Sequence, residues 1–209
     1  GWYRNPHIAL YTARGKLIRY RFDVPGATAV VADWDGNGRD SVSLFKDGTW
    51  YLRNGRTSAS ITKKLKFGVK GDLPVAGRWR KGAADAPGLV RGKEWILRVS
   101  TTDGDRRRFT WALGGTPAVG DWNGNGVDGP AVRNGAKWSL GADFPLTGSG
   151  WVKAPAVWTT SSYVKADGVV PAGMARTGKT SATTIVRGTR FIWQAPGGGG
   201  VVTSQVFGG

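Results

Sequence analysis

Val31-Ala32-Asp33-Trp34-Asp35-Gly36-Asn37-Gly38-Arg39-Asp40 runs through Phe45-Lys46 into Asp47-Gly48-Thr49-Trp50. It joins an acidic, glycine-rich loop to a hairpin turn. Asp-Gly between two β-prone runs is a strong short-range hairpin signal. Both parts recur. Trp34, Trp79 and Trp122 are spaced by 45 and 43 residues, and so are Trp50, Trp95 and Trp138. Two separate tryptophan series with one period mark an internal repeat.

A closing element completes each unit. Phe67-Gly68 leads through Gly71 to Leu73-Pro74-Val75, and Trp111 leads through Gly114-Gly115 to Thr116-Pro117-Ala118. Phe207-Gly208-Gly209 ends the chain in the same manner. Each unit holds about four short strands. In the clearest unit these are expected at Thr28–Asp33, Ser41–Lys46, Thr49–Arg53 and Ile61–Val69. The third unit is lengthened by extra residues around Leu146 to Ser162.

Four antiparallel strands per unit is the blade of a β-propeller. The expected fold is all-β, a propeller of four-stranded blades, with five blades and four as the alternative. The expected divisions are a partial repeat at 1–24 and repeats at 25–72, 73–115, 116–168 and 169–209. The repeated tryptophans are expected to pack between blades, where each buries a large area.

Composition agrees. Of 209 residues 34 are glycine and 11 are tryptophan, which suits short strands joined by tight turns. Lys+Arg number 30 against 14 Asp+Glu, a formal charge of +16. Such a surface attracts polyanions or simply keeps a protein soluble. The lack of cysteine removes disulfides, structural zinc and thiol catalysis together. No segment approaches the roughly 20 apolar residues of a membrane span. The chain opens on Gly1 without a signal-peptide pattern, which reads as a mature or excised segment.

The acidic loop places oxygen side chains from Asp33, Asp35, Asn37 and Asp40 at alternating or closing positions. Asp121, Asn123, Asn125 and Asp128 repeat the arrangement 88 residues later. Calcium takes six to eight hard oxygens from such loops. The carbonyls of Arg39 and Val127 would add a main-chain ligand each, and Asp40 and Asp128 would close the sites. Two structural calcium sites are expected, the first tighter because it has three carboxylates against two. In the second repeat Arg78-Trp79-Arg80-Lys81 stands where ligands would be, and in the fourth Met174-Ala175-Arg176 does. A guanidinium there could bridge the remaining oxygens.

The stretches Thr28–Asn54 and Pro117–Trp138 resemble the FG-GAP/VCBS-type repeats of actinobacterial secreted proteins. That resemblance implies a propeller, calcium in the D-x-D-G-x-G loops, and an extracellular binding or adhesion role beside larger hydrolases. It specifies no ligand.

Signals of catalysis are weak. Gly173-Met174-Ala175-Arg176-Thr177-Gly178-Lys179-Thr180 matches a phosphate-loop pattern. The next residues, Ser181 to Val186, read as strand where that mechanism needs a helix. His7 is the only histidine, and it lies far from any suggestive serine. Of 13 aspartates, five already belong to the metal loops. The chain is read as non-catalytic.

The leading expectation is recognition of glycan or anionic cell-envelope polymer. Tyr51, Trp151, Trp158 and Trp193 would stack on sugar rings while Lys and Arg meet anionic groups. Trp151 and Trp158 lie in the insertion that breaks the repeat. A second expectation is an adhesion or targeting domain of a larger secreted protein. A third is nucleic-acid binding through Lys63-Lys64, Lys66 and Arg106-Arg107-Arg108. It ranks below solvated edge-strand charge that blocks aggregation.

Overall fold

The computed structural model describes main chain and side chains of residues 24–54, 61–102, 104–112, 114–135, 138–141 and 143–144, and the main chain of strands elsewhere. Regular structure among the described residues is entirely β. None of it is a helix long and apolar enough to cross a membrane.

β1 (His7–Tyr11) and β2 (Leu17–Arg21) form an antiparallel pair. β3 (Thr28–Ala32), β4 (Ser41–Lys46), β5 (Thr49–Leu52) and β6 (Lys63–Lys66) make a four-stranded meander, the first sheet. β7 (Leu73–Gly77), β8 (Ala86–Arg91), β9 (Glu94–Arg98) and β10 (Arg106–Thr110) make the second in the same order. The third takes β11 (Thr116–Gly120), β12 (Gly129–Asn134), β13 (Lys137–Gly141) and, after an intervening β14 (Gly150–Trp151), β15 (Val157–Ser162). A fourth sheet orders β16 (Gly168–Val169), β19 (Thr183–Arg187), β20 (Arg190–Gln194) and β21 (Thr203–Val206). Between its first two strands β17 (Arg176–Thr177) and β18 (Thr180–Ser181) pair with each other.

The insertion differs from the expectation. Val157–Ser162 is the outer strand of the third sheet, paired along β13, and so belongs to the repeat. Gly150–Trp151 instead leaves its own sheet and pairs in parallel with Arg107 and Arg108 of β10.

Successive sheets are joined face to face. β7 lies beside both β3 and β11, so the first strands of three sheets are neighbours. Val30, Trp34, Phe45, Trp50, Leu52 and Phe67 of the first sheet close on Leu89 and Ile96 of the second. The opposite face of the second sheet sends Val90, Trp95 and Leu97 against Val119, Val132 and Phe144. The period-two alternation of β8 and β9 thus feeds two cores at once. Trp34, Trp79 and Trp122 are all buried, as are Trp50, Trp95 and Trp138. Each indole withdraws enough apolar surface for about 4–6 kcal/mol of gross hydrophobic stabilisation.

The hairpin turn is closed by a tight contact. Asp47 and Gly48 both have positive φ, 47° and 79°, the type I′ geometry that matches strand twist. A Cβ on Gly48 would fall on the Gly68 carbonyl, so the closing element passes directly over the turn. Phe67 N–H donates to Gly48 O at 2.9 Å, and Trp50 Nε1 donates to Phe67 O at 3.0 Å. Trp111 N–H donates to Lys93 O at 2.9 Å, which repeats the tie in the second unit.

Asp72 holds the crossing from the first sheet to the second. Its buried carboxylate accepts Val69 N–H at 2.8 Å and two Arg91 nitrogens at 2.7 and 3.0 Å. Burial pushes this carboxyl up. The Arg91 and Val69 bonds and the Arg91 charge outweigh that and leave it below the usual carboxylate value. A depressed folded pKa gives stability that is present above the unfolded value of about 3.9 and lost as pH falls through the folded one. Asp72→Asn is expected to cost about 1–2 kcal/mol at pH 7, since Arg91 is partly exposed. Urea midpoints should show that difference shrinking as pH falls below the ordinary carboxylate range.

Candidate metal loops and binding face

Both acidic loops curl around their first carboxylate. In the first, Asn37 N–H donates to Asp33 Oδ1 at 3.0 Å and Gly38 N–H to Asp33 Oδ2 at 2.8 Å. Asp35 Oδ1 accepts Asn37 N–H at 3.3 Å, and Asn37 Oδ1 accepts Arg39 N–H at 2.9 Å. Gly36 and Gly38 supply the left-handed turns, at φ 73° and 78°. Side-chain oxygens of this kind organise a loop through its own amides.

The third repeat follows the same plan. Asp121 accepts the amides of Gly124, Asn125 and Gly126 at 2.8, 3.0 and 2.9 Å. Asn123 and Asn125 oxygens accept the amides of Asn125 and Val127 at 3.1 and 2.8 Å. An acidic residue outside the motif joins this loop. Asp143 accepts Asn123 Nδ2 at 3.0 Å and Asn125 Nδ2 at 2.6 Å. Its position is fixed by Phe144, which is buried edge-on to Trp79 at 4.8 Å. Asp143 carries no repeat signature, so nothing in the sequence singles it out.

The aspartates that end the loops of the second and third repeats bond to the loop before their own. Asp128 Oδ2 accepts Arg78 N–H at 2.7 Å, while Asp128 N–H donates to Arg78 O at 2.8 Å. Asp85 makes the same reciprocal pair with Asp33, at 2.8 and 2.9 Å. The eighth residue of one loop therefore clasps the first residue of the preceding loop and joins adjacent sheets. That geometry gives Asp128 a role as a joint, where the motif predicts that it closes its own loop. Asp40 is exposed at the first loop, near enough for its charge to act on Asp85.

Arg78 replaces the first aspartate in the second repeat. Its guanidinium lies 3.9 Å from both Asp33 Oδ2 and Asp85 Oδ1. It bridges its own loop and the one before. Burial pushes the Asp85 carboxyl up; the Asp33 amide bond and the Arg78 charge oppose this, and the Asp40 and Asp33 charges add to it. Among the described residues no three acidic or histidine side chains are gathered as a metal-ligating group. The donors present are of the hard-oxygen type that suits calcium, drawn from Asp33, Asp35 and Asn37, and from Asp121, Asn123 and Asn125.

Of the expected sugar-stacking residues, Tyr51 is half-buried on β5 and lines a shallow pocket of about 470 Å³. Trp151, Trp158 and Trp193 stand on β14, β15 and β20, and their side chains lie outside the described residues. The arginine run is engaged within the fold. Arg106 lies over the Phe67 ring at 5.4 Å, Arg107 pairs with Asp105 at 2.7 Å, and Arg108 pairs with Glu94 at 3.2 Å. The phosphate-loop pattern passes through the β17–β18 pair and is followed by strand β19, not by a helix.

Comparison with protein-family models finds no match for this chain, and comparisons with curated proteins and with solved structures find none either.

Proposed function

We propose that this chain is a secreted, non-catalytic binding module that recognises anionic glycan or cell-envelope polymer and is stiffened by calcium at its two acidic loops. The architecture we propose is a propeller of FG-GAP/VCBS type, with five blades or four. Side-by-side first strands and the tryptophan-filled cores between sheets support it. One observation carries the functional reading: Tyr51 sits in an open pocket with Lys46, Lys64 and Lys66. An aromatic face with adjacent ammonium groups suits a charged sugar. The engaged arginines weigh against the nucleic-acid alternative.

The loops are proposed to bind calcium through Asp33, Asp35, Asn37 and the Arg39 carbonyl, and through Asp121, Asn123, Asn125 and the Val127 carbonyl. Their ranking reverses the one expected from counting carboxylates in the motif. Arg78 sets a positive charge beside Asp33, whereas Asp143 adds a negative one beside Asn123 and Asn125. The second loop should be the tighter. Calcium at a hundredfold excess over Kd should raise stability by about 2.7 kcal/mol for each occupied site. Asp121→Ala should remove more of that calcium-dependent rise than Asp33→Ala, read as the melting difference with calcium and with chelator.

Immobilised anionic cell-wall polymer, probed with calcium and then with chelator, tests the reading as a whole. Saturable binding that a defined acidic sugar competes away supports it. Absence of binding to every anionic and neutral glycan, with chelator lowering only the melting temperature, would redirect the search to a protein partner.

A further inference from the structure

We infer that the pocket beside Tyr51 and Thr49, on the face of the first sheet turned away from the second, is the recognition pocket itself, taking one sugar residue that bears a carboxylate or phosphate. The inference rests on the glycan-binding reading above and assigns it a place.

Strand register brings the groups together. Lys46 pairs with Thr49, and Thr49 pairs with Lys66, so these three form one row across β4, β5 and β6. The neighbouring row on the same face sets Tyr51 beside Lys64. Side chains two apart on a strand share a face. Val24, Pro25 and Ile61 complete the wall, with Asp47 at the rim. Three lysines against that single aspartate leave the pocket positive. Its volume of about 470 Å³ falls in the range of small-ligand sites, roughly 300–1,000 Å³.

The ammonium groups are held, not splayed into solvent. Lys64 Nζ lies 5.7 Å from the Tyr51 ring centroid. Lys66 Nζ donates to Thr49 Oγ1 at 2.8 Å, and Lys46 Nζ donates to Pro25 O at 2.6 Å. An ammonium has three donors, so each of these bonds leaves two for a ligand. Edge protection accounts for Lys64 and Lys66 on outer strand β6. It does not account for Lys46, which stands on the interior strand β4. Lys46 and Lys66 flank Thr49 with like charge, and an oxyanion seated over Thr49 would relieve their repulsion. The Tyr51 ring offers an apolar face to the C–H groups of the same sugar. Asp47 can accept a sugar hydroxyl.

The test is calorimetric titration of the full chain at low salt. The probes are a galacturonate trisaccharide, a glycerol-phosphate oligomer, maltotriose and an oligothymidylate. One of the two anionic polyol probes should bind at least about tenfold tighter than maltotriose, a gap appropriate to one charge-assisted contact. Which one binds separates carboxylate from phosphate. Tyr51→Ala, Lys46→Gln and Lys66→Gln should each weaken it by about tenfold, while Lys81→Gln in the second repeat should not. The exposed Lys66→Gln substitution keeps the test informative if Tyr51→Ala fails to fold. Unchanged affinity in both lysine variants, with wild type still binding, would overturn the pocket and leave the glycan reading standing. No binding of any sugar probe by wild type would overturn that reading as well. Oligothymidylate binding tighter than either acidic probe, and insensitive to Tyr51→Ala, would assign the face to a nucleic-acid backbone and overturn the proposal.

Discussion

Trp95→Ala is expected to lower the unfolding free energy by about 3–5 kcal/mol, the range for truncating a large aromatic in a packed core. Trp95 is 1% exposed and sits at the centre of the core between the second and third sheets. It stacks on Phe109 at 6.0 Å with planes 8° apart, meets Trp111 edge-on at 6.3 Å, and leans on Phe144 at 5.8 Å. Three aromatic rings would therefore lose a partner at once, and β-sheet backbone cannot readily collapse into the space. Against a total of about 5–15 kcal/mol, such a loss leaves a marginal fold. Urea unfolding should show a large fall in midpoint. Trp95→Phe, which refills part of the volume, should recover much of it. A loss under about 1 kcal/mol for the alanine variant would be that of a surface residue and would contradict this packing.

Asp128→Ala is expected to cost about 2–3 kcal/mol, and Asp128→Asn less than about 1. Asp128 is 7% exposed, and its carboxylate accepts the main-chain amide of Arg78 across the junction of two sheets. Alanine strands that amide in a buried setting, whereas asparagine keeps an acceptor of the same shape. The surroundings are cut to fit. A Cβ on Gly77 would stand 2.8 Å from Asp128 Oδ2 and 2.6 Å from both Trp79 and Val119. Equal losses for alanine and asparagine would mean that charge, not the acceptor, sustains the joint. Thermal melts of the two variants beside wild type distinguish these cases.

Much of the fold is legible in the sequence because its determinants are local. β4 lies at Ser41–Lys46, where its residues predict it, and β3 and β5 each end one residue earlier than predicted. β6 is shorter, Lys63–Lys66 against Ile61–Val69, because Phe67 turns away to cap the hairpin below it. The tryptophan period translates into burial because identical spacing returns each indole to the same depth between sheets. The features that are not legible depend on neighbours remote in sequence. The role of Asp85 and Asp128 is visible only once two sheets are juxtaposed. Asp143 reaches the second loop through the packing of Phe144, which no motif encodes. The lysine pocket depends on cross-strand register: Tyr51, Lys64 and Lys66 stand out in the sequence for separate reasons, and Lys46 acquires meaning only beside Thr49 and Lys66.

Gly150–Trp151 covers the rim of β10 from a part of the chain made after β11, β12 and β13. During synthesis β7 to β10 can pair as they emerge, yet the outer rim of that sheet stays bare until the ribosome has gone well into the next repeat. At ordinary elongation rates the interval is on the order of seconds. A nascent chain in that interval offers Arg106 to Thr110 as an unsatisfied strand to any other copy nearby. That edge is closed only when the chain's own Gly150–Trp151 arrives to pair with Arg107 and Arg108.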